Sequence, residues 1–86
     1  MYEVHLSDNA DKFIQKLDKH ISERIIERLK HLKDNPIPSD SKFICREEND
    51  KIFRYRIGDF RALYKVKESE KIVLIVKIDK RPRVYG

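Results

Sequence analysis

The sequence predicts one α+β domain of two layers, in the order βααβββ, with a helical hairpin packed on one face of a mainly antiparallel sheet. Three observations predict it. Between Ala10 and Leu32 the apolar residues recur with a helical period. From Lys42 onward the period changes to two. The helical and strand-rich tracts are separate along the chain, which sets a helix layer against a sheet rather than alternating βαβ units. At 86 residues the chain makes a single domain, 1–86, with no repeat, linker or low-complexity tract.

Tyr2 to Leu6 alternates and reads as a first strand. Ser7 or Asp8 then supplies a side-chain oxygen for the unpaired N–H groups of a helix start. Ala10, Phe13, Ile14 and Leu17 follow at i, i+3, i+4 and i+7, one helical stripe. Asp18 is placed to cap a second helix. Its stripe is Ile21, Ile25, Leu29 and Leu32, with Ile26 beside it. Glu23, Arg24, Glu27, Arg28 and Lys30 fall on its exposed face. Pro36 and Pro38 stop this helix, because proline lacks the N–H and disfavours helix at the preceding residue. The joint is so short that the two helices form a hairpin.

After the loop from Pro36 to Ser41, Phe43 to Arg46 is a candidate for a short further strand, and Glu47 to Asp50 reads as a turn. Ile52 to Ile57 is a strand, Gly58-Asp59 a tight turn and Phe60 to Lys67 the return strand. Glu68 to Lys71 is another turn. Ile72 to Ile78 is apolar at nearly every position, as expected of a central strand covered on both sides. Val84-Tyr85 is a candidate for a short last strand. Alternation turns Phe53, Tyr55, Ile57, Ala62, Tyr64 and Val66 toward the helices. Arg54, Arg56, Arg61, Leu63 and Lys65 then face away.

Composition narrows the function. The net charge is +5, unevenly spread. Residues 1–41 hold seven Lys/Arg against eight Asp/Glu, a net of −1; residues 42–86 hold thirteen against seven, a net of +6. Such asymmetry points to a polyanion partner, most often nucleic acid. Cys45 is the single cysteine, so no intramolecular disulfide forms; it reads as a small, half-buried strand residue. No CxxC, HExxH or other metal spacing occurs, and no cofactor is expected. His5, His20 and His31 are scattered and read as surface groups. The start, Met-Tyr-Glu-Val-His-Leu-Ser, lacks the pattern of a signal peptide, and no apolar run reaches membrane-spanning length. A cytoplasmic protein with no membrane association follows by elimination.

Within the basic half the arginines cluster in Phe53-Arg54-Tyr55-Arg56-Ile57-Gly58-Asp59-Phe60-Arg61 and in Ile78-Asp79-Lys80-Arg81-Pro82-Arg83-Val84-Tyr85. Guanidinium is planar, permanently charged and five-donor, a match for phosphate. The first segment, continued to Tyr64, resembles the central hairpin signature of the RelE/ParE toxin superfamily, roughly R-x-R-x-G-D-[YF]-R-x-x-Y. The second resembles that superfamily's closing motif, a basic pair followed within a few residues by tyrosine. Length and element order agree across essentially the whole chain.

The resemblance implies a toxin of a type II toxin–antitoxin pair, closest to RelE-type endoribonucleases that cleave messenger RNA in the ribosomal A site. There the RNA's 2′-hydroxyl attacks the adjacent phosphate without a metal. Carried over by position, Arg61, Arg81 and Tyr85 are the implied catalytic residues, and Arg54, Arg56, Lys80 and Arg83 the implied RNA-binding ones. The implied partners are messenger RNA on the ribosome and a RelB-like antitoxin, with a toxin–antitoxin heterotetramer among the expected assemblies. Where some relatives have lysines at the first-strand pair, this chain has Arg54 and Arg56, which do not readily release a proton. Relatives that use a histidine and a glutamate find no histidine in this basic half. Glu47 and Glu48 are the carboxylates before the hairpin, against the plainer reading of a solvated turn. Two other functions share the fold: a ParE-type inhibitor of DNA gyrase, and a non-catalytic nucleic-acid-binding relative.

Overall fold

Ser7 ends one element and begins the next. The structure, a computed structural model, describes residues 1–80. Strand β1 (Glu3–Leu6) runs into Ser7, whose extended backbone lets its Oγ accept the Ala10 N–H at 3.1 Å and start helix α1 (Asp8–Gln15). Asp8 and Asp11 in the first turn suit the positive end of the helix dipole. Helix α2 (Lys19–Lys30) starts at Asp18, as its position predicts, but the Asp18 side chain makes no capping bond. A 3₁₀ turn (His31–Lys33) extends α2 and carries Leu32 into the core.

Four strands follow: β2 (Ser41–Glu47), β3 (Asp50–Ile57), β4 (Phe60–Lys67) and β5 (Ile72–Lys80). The order is therefore βααββββ, one strand more than βααβββ, because the candidate at Phe43–Arg46 is a full seven-residue strand. It was faint in the sequence because it is an edge strand. Only Ser41 of its seven residues is even partly buried, so no alternation was imposed. Cys45, expected half-buried, is exposed for the same reason. The sheet order is β1-β5-β4-β3-β2, antiparallel except for the parallel β1–β5 pair. The candidate strand at Val84-Tyr85 lies outside the described residues.

Both helices cover one face. Ala10, Ile14, Ile25, Leu29 and Leu32 meet Phe53, Tyr55, Ile57, Ala62, Tyr64, Val66, Val73, Ile75 and Ile78 in one core. Each large aliphatic side chain buried there contributes about 1.5–3 kcal/mol. Ile21, expected in that stripe, sits at the first turn of α2 and is mostly outside it, 37% exposed. Phe53 stacks on Tyr64 with centroids 5.6 Å apart, and Tyr64 donates to the Pro36 carbonyl at 2.8 Å. That bond ties the proline loop to the core. Burial pushes the Tyr64 phenol up to about 12.

Strand β5 is central but not covered on both sides, as its apolar run had suggested. Val73, Ile75 and Ile78 are buried by the helices, while Ile72, Leu74 and Val76 are half-buried. On the open side Leu74 lies opposite Lys65 and Ile72 opposite Lys67. Lysine stems there take the place of a second helix layer.

Candidate nucleic-acid interface

Phe53, Tyr55 and Ile57 of β3 are buried against the helices. By alternation Arg54 and Arg56 lie on the open face. Arg54 stands opposite Lys42 of β2 and Leu63 of β4, and Leu63 stands opposite Lys77 of β5. Arg56 stands opposite Arg61 of β4, and Arg61 opposite Asp79 of β5. Two rows thus cross the sheet side by side: Lys42, Arg54, Leu63, Lys77, and Arg56, Arg61, Asp79. The Gly58-Asp59 turn joins β3 to β4 just beyond the second row. Gly58 has φ +58°, a conformation that costs glycine nothing and other residues about 1 kcal/mol or more.

Lys77 and Asp79 reach this face through an irregularity. Between Leu63 and Tyr64 the register with β5 jumps from Lys77 to Ile75, leaving Val76 as an extra residue. This bulge inverts the alternation, so Ile78 is buried and its neighbours Lys77 and Asp79 face out. Ser7 secures it: its Oγ donates to the Val76 carbonyl at 2.7 Å and its N–H to the Ile75 carbonyl at 2.9 Å.

Arg56 is exposed, and Arg54 and Arg61 are half-buried. Like charges directly opposed across a ladder are destabilising. None of the three lies within 4.0 Å of a carboxylate among the described residues. The other end of the face differs. Lys65 Nζ meets Glu47 at 2.8 Å, and Lys67 Nζ meets Asp50 at 3.4 Å. The hydrogen bond to Glu47 raises the Lys65 pKa, holding the ammonium charged.

Arg28, expected on the exposed face of α2, is half-buried and braces this site from behind. Its guanidinium lies over the Tyr55 ring, 5.2 Å from the centroid. Nε donates to the Tyr55 hydroxyl at 3.3 Å, and Nη2 to Asp40 at 3.2 Å and to the Arg56 carbonyl at 3.5 Å. The sequence signal was its place one turn beyond Ile25 and next to Leu29, on the flank of the apolar stripe.

Of the residues implied in sequence, the structure brings together Arg54, Arg56 and Arg61. Lys80 ends β5 opposite Phe60, on the side from which Phe60 packs on Phe13, and so is not in the arginine rows. Arg81, Arg83 and Tyr85 lie outside the described residues. Glu48 is exposed in the β2–β3 turn with φ +56°. Lys42, Lys77 and Asp79 join the face without having been singled out. The arrangement can hold phosphates and stabilise added negative charge. No helix among the described residues is long and apolar enough to cross a membrane.

Residues 4–85 match the family model described as the ParE toxin of a type II toxin–antitoxin system, parDE. A Methanocaldococcus jannaschii protein bearing the name RelE1 toxin is 32% identical over 98% of this chain and 94% of its own. The archaeal RelE–RelB complex from Pyrococcus horikoshii OT3 contains a chain with TM-score 0.85 and 28% identity, covering 96% of this chain and 98% of that one. The isolated Escherichia coli RelE toxin, at TM-score 0.76 and 19% identity over 98% of this chain and 88% of its own, shares the fold. With a family match over nearly its whole length and the same two helices on a five-stranded sheet, the chain belongs to the RelE/ParE superfamily of type II toxin–antitoxin toxins.

Proposed function

We propose that this chain is a RelE-type, ribosome-dependent endoribonuclease that cleaves messenger RNA in the A site by metal-independent attack of the 2′-hydroxyl. The observation that carries this reading is the group Arg54, Arg56 and Arg61 on an uncovered sheet face, with no described carboxylate in ion-pair contact. Cleavage by transphosphorylation builds charge on a phosphorane, and fixed guanidiniums stabilise it without reorganising. Arg61, with Arg81 from the C-terminal motif, takes that role. Arg54, Arg56 and Arg83 position the RNA backbone, and Tyr85 stacks on a base or moves a proton.

A cytoplasmic toxin of this kind needs restraint, and a RelB-like antitoxin is the partner in this reading. The Pyrococcus horikoshii relative is a RelE–RelB complex, which supports it. The matching family model carries the ParE description, which favours one second reading, inhibition of DNA gyrase. Messenger cleavage on programmed ribosomes, measured beside gyrase supercoiling, separates the two. Cleavage with unimpaired supercoiling is expected; inhibited supercoiling without cleavage would replace the first reading by the second.

A further inference from the structure

The arginines leave one task undone. Guanidinium is a donor that stays protonated, so it cannot take the proton of an attacking hydroxyl. Asp79 is the carboxylate within the arginine rows, directly opposite Arg61 on the same face. Residues so opposed hold their Cβ atoms about 5 Å apart. The Val76 bulge is what puts it there; with unbroken alternation Asp79 would point toward the helices.

Its surroundings are cationic. Lys77 Nζ approaches the Asp79 carboxylate at 3.5 Å from the same strand. Arg61 faces it from β4, with Arg56 and Arg54 of β3 one strand further on, while Lys80 next in sequence belongs to the opposite face. The other acids carried by the strands of the open face are engaged elsewhere. Glu47 and Asp50 are held by Lys65 and Lys67, and Glu3 accepts from His5 at 3.0 Å on β1. Asp50 is six residues from Arg56 along β3, roughly 20 Å at the rise of a strand.

We propose that Asp79 is the proton acceptor for the attacking 2′-hydroxyl, an assignment that rests on the endoribonuclease reading. The 2′ O–H bond breaks and its proton passes to the Asp79 carboxylate. The 2′-oxygen forms a bond to phosphorus, and the bond from phosphorus to the 5′-oxygen breaks. That oxygen takes a proton from water, leaving a 5′-hydroxyl and a 2′,3′-cyclic phosphate. The hydroxide so formed removes the proton held by Asp79, which restores the enzyme.

The test is single-turnover cleavage of A-site messenger by wild type, Asp79→Asn and Asp79→Glu across pH, with ribosome binding measured in parallel. Asp79→Asn should bind as well as wild type and cleave about 10²–10⁴-fold more slowly. Wild type is expected to lose rate toward low pH, and this variant should not show that loss. Asp79→Glu should recover part of the rate. If Asp79→Asn matches or exceeds the rate of an active wild type, Asp79 merely offsets the neighbouring cations. The assignment is then overturned, while the endoribonuclease reading stands. If wild type binds programmed ribosomes and cleaves nothing, both fall together.

Discussion

At one end of the open sheet face each lysine meets a carboxylate; at the other, three arginines meet none among the described residues. Lys65 pairs with Glu47 and Lys67 with Asp50, and their stems lie beside Ile52, Leu74 and Ile72. These cations cover apolar surface, and their charge is offset locally. Arg56 and Arg61 are opposed to one another instead, a placement that costs stability. Stability explains the lysine end. The arginine end fits the polyanion partner of the proposed function. On that proposal the same charge sign on one face marks two different jobs, and partner geometry tells them apart where composition does not.

The strongest way to break this comparison is Arg61→Ala. If the arginine end serves chemistry, cleavage on programmed ribosomes should fall about 10²–10³-fold, as on losing one transition-state donor. The melting temperature should barely move, because the substitution also removes the repulsion with Arg56. Arg81→Ala, from the C-terminal motif, should behave alike. A large loss of stability with normal cleavage by the remaining folded protein would reverse the assignment of the two ends.

How much of this was legible depended on local rules. Strict alternation in β3 and β4 correctly separated Phe53, Tyr55 and Ile57 from Arg54 and Arg56, because one face is buried and register is then strongly specified. The helical stripes were legible for the same reason, Ile21 excepted. Three features that shape the site were not. Strand β2 lies at an edge and buries almost nothing, so it printed no pattern. The Val76 bulge breaks the period of β5, and Lys77 and Asp79 changed faces with it. Arg28 reads as a surface helix residue until Tyr55 comes beneath its guanidinium, a contact across 27 positions of chain. Non-local pairing decided all three.

Ser7 connects the fold to the site, and its loss should be the next largest effect. Ser7→Ala removes both the α1 cap and the donor to the Val76 carbonyl. A loss of about 1–2 kcal/mol in urea unfolding is expected. Ser7→Thr, which keeps the hydroxyl, should lose much less. Equal stability of Ser7→Ala and wild type would mean that the bulge holds itself.

Tyr64 gives a control on the buried side of the same hairpin. Tyr64→Phe leaves the Pro36 carbonyl without its donor and should cost about 1 kcal/mol at neutral pH. The folded phenol titrates at about 12, above its ordinary value near 10, so the fold favours the protonated form. That contribution is whole below about pH 10 and is lost as pH rises toward about 12. Denaturation followed through that window should show a slope in wild type that Tyr64→Phe lessens. Cleavage at neutral pH should be unchanged, since this side chain faces the helices.

The smallest effect sharpens the comparison most. Glu47→Gln removes the carboxylate from Lys65 and leaves the lysine in place. A solvent-screened surface ion pair of this kind contributes little, so stability should hardly change. Electrostatically the variant takes from Lys65 its closest carboxylate and makes the open face more positive. RNA binding should tighten slightly. If Lys65 then reaches a phosphate of single-stranded RNA, the salt dependence should steepen by about 0.7 in log–log slope. Cleavage should stay within a few-fold of wild type, because Glu47 sits at the lysine end, roughly 20 Å along the strand from Arg56. A collapse of cleavage with normal RNA affinity would place Glu47 in the chemistry after all. It would also erase the distinction between a structural and a reactive end of this face.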